Sequence, residues 1–168
     1  MRKIIALQIL ILFVVSFLAG LASYFILPQE KIILFIETID RRVISMEHAT
    51  EKISIILALG SFIIIFFLAT HPYLIKFAKV FVSLKICFFG LSSMVLLELN
   101  DQIIFYSAWW FPFQFLYCMI SLIFIHQIER ASQMKRKKNL NVTTKFITFL
   151  VMYGIIVSVE VFILRVLS

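Results

Sequence analysis

The stretch that decides the fold is Phe146–Val166, FITFLVMYGIIVSVEVFILRV. At about 1.5 Å per residue it is long enough, as a helix, to cross the roughly 30 Å hydrocarbon core of a bilayer. Its only charged residues are Glu160 and Arg165. An ionisable side chain inside such a stretch is costly, so Glu160 requires a partner, water or a function.

Four more apolar runs precede this stretch, and together they account for most of the chain. Hydrophobic residues make up 62% of the 168 positions and charged residues only 15%, which is well outside the usage of a soluble domain. The sequence therefore predicts an all-α polytopic membrane helix bundle that forms one integral membrane domain over residues 1–168. The five predicted transmembrane helices cover residues 4–27, 53–70, 77–99, 103–127 and 146–166.

The segment between the first two spans has a different pattern. Over residues 29–52, apolar residues such as Ile32, Ile36 and Val43 recur at helical spacing, with charged residues between them. This pattern predicts an amphipathic helix on the outer surface of the bundle. Two roles stay open for it, packing across the ends of the spans or docking a partner.

The distribution of basic residues predicts the orientation. The net charge is +7, and much of it falls in the loop ERASQMKRKKNLNVTTK, residues 129–145. Cytoplasmic loops are enriched in Lys and Arg, so the amino end is expected inside and the carboxyl end outside. Orientation accounts for the basic excess, and a nucleic-acid partner is not predicted. Tyr106, Trp109 and Trp110 are expected at the outer headgroup level, where aromatic residues accumulate.

Two polar residues within spans are candidates for function. Lys85 lies in the third span, and its long side chain is expected to snorkel toward the nearer, inner end. Glu160 has a shorter side chain and lies at a depth similar to that of Gln114 in the fourth span. Pro112 frees a backbone carbonyl close by. The three residues Pro112, Gln114 and Glu160 are predicted to form a polar pocket, with a purely structural hydrogen bond between helices as the alternative.

Catalytic chemistry has little support in the sequence. The chain has no His-Glu-x-x-His motif and no glycine-flanked serine within a span, and the histidines are spread over different levels. An acid pair of Glu98 and Glu160 is the only candidate for an intramembrane enzyme. No metal site and no cofactor are predicted. Cys87 and Cys118 both fall inside apolar runs and are expected to act as small hydrophobic residues.

Three motifs resemble those of the stage II sporulation protein M family of small five-span bacterial membrane proteins. WFPFQFLYCMISLIFIHQIER is similar to the family's fourth segment, with Phe111 and Pro112 at its Leu-Pro pair. SVEVFILR resembles its closing stretch, which places Glu160 on the acidic position. THPYLIKFAK, with Gly90 beyond it, resembles the second inner turn. The chain departs from the sporulation members in its short amino-terminal lead and in having Arg165 where they have a proline.

Shorter members of that family accompany gene clusters for circular bacteriocins. The resemblance therefore implies a non-catalytic subunit, in the bacterial cytoplasmic membrane, for maturation, export or self-protection of such a peptide. The implied partners are the lipid bilayer, other integral membrane proteins including an ABC-type ATPase complex, and a cationic hydrophobic peptide bound by Glu160. Two alternatives stay open, a sporulation engulfment scaffold and an intramembrane enzyme for leader removal or cyclisation.

Overall fold

The computed structural model describes residues 2–44, 51–71, 73–98, 103, 106–133 and 138–167. Over these residues the chain is helical and contains no β-strand. The elements, in chain order, are α1 (Arg2–Ile26), α2 (Gln29–Ile39), a 3-10 turn (Arg41–Val43), α3 (Glu51–Thr70), α4 (Ile75–Glu98), a π-helical turn (Tyr106–Trp110), α5 (Phe111–Gln133) and α6 (Lys138–Leu167).

Five of these helices are long and apolar enough to cross a membrane. The candidate spans are Leu7–Ile26, Ile53–Thr70, Ile75–Glu98, Tyr106–Arg130 and Thr144–Val166. Many outward-facing side chains within them are large and apolar, including Val15, Ile63 and Ile155. Such a surface is stable in lipid, where exposed apolar groups carry no hydration cost. The prediction of an all-α bundle with five spanning helices is confirmed, and the chain has the length and composition of a multi-pass membrane protein.

The helices α1 and α4 approach each other closely at two glycines, Gly20 and Gly90. A Cβ atom placed on Gly20 would lie 2.0 Å from the carbonyl oxygen of Cys87, and one placed on Gly90 would lie 2.4 Å from the carbonyl oxygen of Phe17. Both distances are far below van der Waals contact, so only glycine fits at these two positions. Small residues at such crossings let helices pack backbone to backbone in lipid, where the hydrophobic effect does not drive association.

An aromatic stack joins three other spans at the centre of the bundle. Phe62 of α3 lies 4.5 Å from Tyr153 of α6, and Tyr153 lies 5.0 Å from Tyr117 of α5, measured between ring centroids. All three side chains are buried. The Tyr153 hydroxyl is within hydrogen-bond distance of Ser121, so the polar end of the ring is satisfied inside the protein, as buried tyrosines require.

The helix after the first span is shorter than the sequence predicts. Ile32 and Ile36 are buried, as the apolar pattern indicates, but α2 ends at Ile39 because Asp40 adopts an extended backbone conformation. The Asp40 side chain then accepts a hydrogen bond from the Arg42 backbone N–H and caps the 3-10 turn. The predicted amphipathic segment also covers residues 45–50, which lie outside the described residues.

A π-helical turn precedes α5 and positions two tryptophans. Trp109 and Trp110 are each only 1% exposed, with their rings 5.4 Å apart. Pro112 follows at the second position of α5, directly after the π-helical turn, and has no backbone N–H to donate to that turn. The wider turn directs both rings into the bundle, and their expected position at the outer headgroup level stays a prediction.

Candidate functional site

Glu160 is buried among hydrogen-bond donors from other parts of the chain. Its side chain is 1% exposed. One carboxylate oxygen accepts from the Trp109 indole N–H at 3.0 Å and from the Arg42 guanidinium at 3.4 Å, and the other accepts from the Tyr117 hydroxyl at 2.5 Å. Hydrogen bonds from several donors offset the cost of burying a carboxyl group inside a protein. The protein itself therefore supplies the partners that Glu160 requires.

Arg42 links Glu160 to the turn after α2. Its guanidinium forms a two-point contact with Asp40, at 2.8 Å through Nε and 2.6 Å through Nη2. A second terminal nitrogen, Nη1, donates to Ser54 Oγ and to Glu160. The planar fork of arginine suits such bidentate contacts. The guanidinium also lies over the Trp109 ring, 5.3 Å from its centroid, which adds a cation–π interaction.

The environment of Arg42 keeps it charged. Burial by itself lowers the pKa of the guanidinium, but the hydrogen bond to Asp40 and the charges of Asp40 and Glu160 together raise the pKa above its ordinary value. Arg42 is only 2% exposed and Asp40 5%. We refer to Asp40, Arg42, Ser54, Trp109, Tyr117 and Glu160 as the charge cluster. It ties the short connection after α2 to α3, α5 and α6.

A cavity of about 840 Å³ lies beside the charge cluster. Most of its lining is apolar, and the polar lining residues are Ser23, Lys31, Asp40, Arg42, Ser54, Ser61, Lys85, Gln114, Tyr117 and Glu160. Its volume falls within the range of roughly 300–1,000 Å³ that ligand pockets occupy. The size and lining make it the candidate binding site of the molecule.

The cavity is open on its side rather than enclosed. Ile56 of α3, Leu84 of α4 and Phe35 of α2 all line it, yet they are 68%, 63% and 49% exposed. Ile56 and Leu84 belong to candidate spans, so this exposed part of the lining lies within the apolar length of α3 and α4. An apolar ligand could enter from lipid without crossing water.

Lys85 projects into this cavity near the middle of α4. Its Nζ donates to Ser61 Oγ at 2.7 Å and lies 5.6 Å from the centroid of the Tyr117 ring. The Ser61 hydroxyl in turn donates to the Ala58 carbonyl at 2.9 Å. The expectation that Lys85 snorkels to the inner end of its helix is not met, because a hydroxyl on the neighbouring span and an aromatic face hold the ammonium inside the bundle.

The structure brings together some of the predicted site residues and separates others. Gln114, Glu160 and Lys85 line the same cavity, whereas Pro112 does not line it. Glu98 is exposed and accepts a hydrogen bond from Gln29 at 3.4 Å. Glu98 and Glu160 thus have different partners and no shared proton site. No group of three or more potential metal ligands occurs among the residues that the structure describes.

The sequence interpretation missed the partners of Glu160. The helical pattern over residues 29–52 places Asp40 among its charged positions, the aromatic pattern places Trp109 at the headgroup level, and neither pattern gives a role to Arg42 or Ser54. One signal was present: Asp40 and Arg42 flank a single residue directly after a helical pattern, an arrangement typical of a capped turn. Nothing local indicates that this turn folds against the last helix.

Comparison of the chain with protein-family models, with curated proteins and with solved structures finds no match. The fold and the site define a helical protein with five helices that are long and apolar enough to cross a membrane, as in a multi-pass membrane protein. A laterally open cavity lies among these helices, with the buried charge cluster at one border.

Proposed function

We propose that this chain is a non-catalytic membrane subunit that receives an apolar peptide from the bilayer, in the maturation, export or self-protection of a circular bacteriocin. The observation that carries the proposal is the laterally open cavity, which combines an apolar lining with polar groups deep inside it. Pockets of this composition hold an apolar ligand by its surface and orient it by a few polar contacts. The bacteriocin itself enters through the family resemblance described above.

Glu160 has a positioning role in this proposal. Its carboxylate is fully engaged by Arg42, Trp109 and Tyr117, so it does not present a free charge to a cationic peptide. It holds Arg42, and with it the turn after α2, against the bundle. Because Asp40 and Arg42 line the cavity, this contact sets the shape of one cavity wall.

The proposed setting is the bacterial cytoplasmic membrane, with the amino end inside and an ABC-type ATPase complex among the partners. The Lys79–Glu129 ion pair, 2.7 Å long, joins the beginning of α4 to the end of α5. In the proposed orientation this pair is cytoplasmic. The exposed apolar surface of the spans is available for other integral membrane proteins as well as for lipid.

A photo-crosslinking experiment tests the proposal. A photoreactive amino acid replaces Leu84, which lines the cavity, or Ile155, which does not; the two positions are similarly exposed, at 63% and 60%. Each protein is reconstituted in nanodiscs with a purified circular bacteriocin or its linear precursor. Cross-linking to the peptide is expected at position 84 and not at position 155. Equal cross-linking at both positions, or none at either, would refute the proposal.

Gene neighbourhood separates this function from the sporulation alternative. Genes for a bacteriocin precursor and an ATPase beside this gene support the proposal, whereas sporulation genes support an engulfment scaffold. The enzyme alternative predicts conversion of the precursor by the purified protein, which mass spectrometry of the nanodisc sample detects directly.

A further inference from the structure

Two lysines that line the cavity, Lys31 and Lys85, form no ion pair with a carboxylate within the described part of the chain, and of the two only Lys85 is partly buried. Arg42 is paired with Asp40 and Glu160, whereas Lys85 donates only to the neutral Ser61 hydroxyl. An ammonium group has three N–H donors, so two remain for a ligand. An ammonium without a counter-ion inside a bundle is costly, and an anionic ligand would remove that cost.

A second polar group in the cavity also has no hydrogen-bond partner among the described residues. Gln114 is half-buried, lines the cavity and lies one helical turn before Tyr117, so the two side chains share a face of α5. The Tyr117 ring lies beside Lys85. The Gln114 amide and the Lys85 ammonium therefore present free donors to the same cavity.

We propose that Lys85 and Gln114 bind the C-terminal end of the linear precursor peptide, as an apolar helix before its ends are joined, with the terminal carboxylate on Lys85. This inference rests on the proposed function and names the part of the peptide that is recognised. The last four carbonyls of a helix have no partners within the helix, and the end carries partial negative charge. A free carboxylate adds a full charge at the same place. An ammonium and an amide donor complement such an end.

The dimensions of the site fit part of a helix. On α4 the cavity lining runs from Phe81 to Leu91, a separation of ten positions that corresponds to about 15 Å of helix. A peptide helix of that length and about 10 Å in diameter has a volume of roughly 1,200 Å³. The cavity holds about 840 Å³, so such a helix would lie partly in the cavity and partly in lipid. The lateral opening at Ile56 and Leu84 permits this arrangement.

A fatty acid is the competing ligand, since it also ends in a carboxylate. Its alkyl chain has no hydrogen-bonding group for Gln114, whereas the free carbonyls at a helix C-terminus have the acceptors that the Gln114 amide requires. An unpaired buried amide is unfavourable. The polar groups of the cavity therefore favour a peptide over a lipid.

The test compares two forms of one probe in nanodiscs that contain the full chain. The probe is an alanine-leucine helix of about 14 residues, labelled at its amino end, with either a C-terminal carboxylate or a C-terminal amide. The wild type is expected to bind the carboxylate form about tenfold more tightly, the effect of one charge-assisted hydrogen bond. Lys85→Gln should abolish this preference, and Lys85→Arg should retain it. Lys76→Gln, which removes an exposed charge from the same helix, should leave it unchanged.

Three results would overturn the inference, and they are distinguishable. Equal binding of both forms to the wild type refutes carboxylate recognition and leaves the proposed peptide function standing. No binding of either form refutes both. Lys85-dependent binding of palmitate without binding of the peptide shows that the ligand is a lipid and refutes the peptide assignment. The wild-type comparison remains informative even if a Lys85 variant fails to fold.

Discussion

Arg42 and Glu160 lie 118 positions apart in the sequence, yet their side chains form a buried ion pair with a nitrogen–oxygen distance of 3.4 Å. The arginine belongs to the 3-10 turn after α2 and the glutamate to the last helix. The contact thus holds the turn after α2 against α6. Substitutions at Glu160, Tyr117 and Arg42 test the charge cluster, glycine substitutions test the α1–α4 contact, and cysteine labelling tests the cavity lining.

Replacing Glu160 with glutamine should destabilise the protein. Removing one partner of a buried ion pair typically costs about 3–5 kcal/mol, and we expect about 2 kcal/mol here because Asp40 still neutralises Arg42. Thermal unfolding in nanodiscs measures the change. Glu98→Gln is the matched control, since Glu98 is exposed and should have little effect. Equal melting temperatures for the two variants would contradict the structural role of Glu160.

Removing the Tyr117 hydroxyl should also destabilise the protein. Tyr117 is 2% exposed and donates to Glu160, and a hydrogen bond to a charged group contributes about 1.5–3 kcal/mol. Tyr117→Phe should therefore lower the melting temperature, whereas Tyr73→Phe should not, because Tyr73 is 83% exposed. In a Glu160→Gln background the effect of Tyr117→Phe should shrink, and an additive effect would show that the two residues are not coupled.

Substitutions should distinguish the glycines at tight helix contacts from the glycines at open positions. Gly20→Leu and Gly90→Leu would push side-chain atoms into the opposite backbone and should disrupt the α1–α4 contact. A Cβ atom at Gly60 or Gly154 meets nothing within 4 Å. Gly60→Ala and Gly154→Ala should be neutral or stabilising by up to about 1 kcal/mol, since alanine favours helix over glycine. The purification yield and the melting temperature in mild detergent measure the effect of each of the four substitutions.

The pH dependence of stability should distinguish arginine from lysine at position 42. The pKa of Arg42 is raised in the folded state, so its contribution is complete below its ordinary pKa and is lost only as the pH rises through the folded value. The contribution of Arg42 to the free energy of unfolding should therefore be constant between about pH 6 and pH 10. Arg42→Lys loses the two-point contact with Asp40 and should be less stable at neutral pH. It should weaken further above about pH 10, where lysine deprotonates.

The two cysteines should differ in reactivity. Cys87 lines the open cavity, whereas Cys118 is fully buried in α5. A membrane-permeable maleimide is expected to modify Cys87 and leave Cys118 unmodified in the folded protein, with Cys87→Ser and Cys118→Ser as single-cysteine controls. Mass spectrometry after a short incubation gives the site of labelling. Preferential modification of Cys118 would be incompatible with the cavity as described.

Sequence patterns were sufficient to predict the helices, because the length and the composition of an apolar run are local properties of the chain. A long apolar run predicts a spanning helix wherever it occurs, and all five predicted runs correspond to candidate spans within a few residues. The same reasoning indicated that Glu160 requires a partner. It did not identify the partner, because Arg42 lies in a polar segment that looks solvent-exposed until its turn is placed against α3 and α6.

Tertiary structure also decided what Lys85 and the tryptophans do. Their sequence context is that of a snorkelling cation and an interfacial aromatic group, yet Lys85 meets Ser61 and Trp109 meets Glu160 inside the bundle. The sequence by itself determined that apolar helices would form and that buried charges would need compensation, since both follow from the free energy of transferring groups from water to lipid. Which charge meets which partner depends on contacts between distant segments, and only the packing of the helices establishes those contacts.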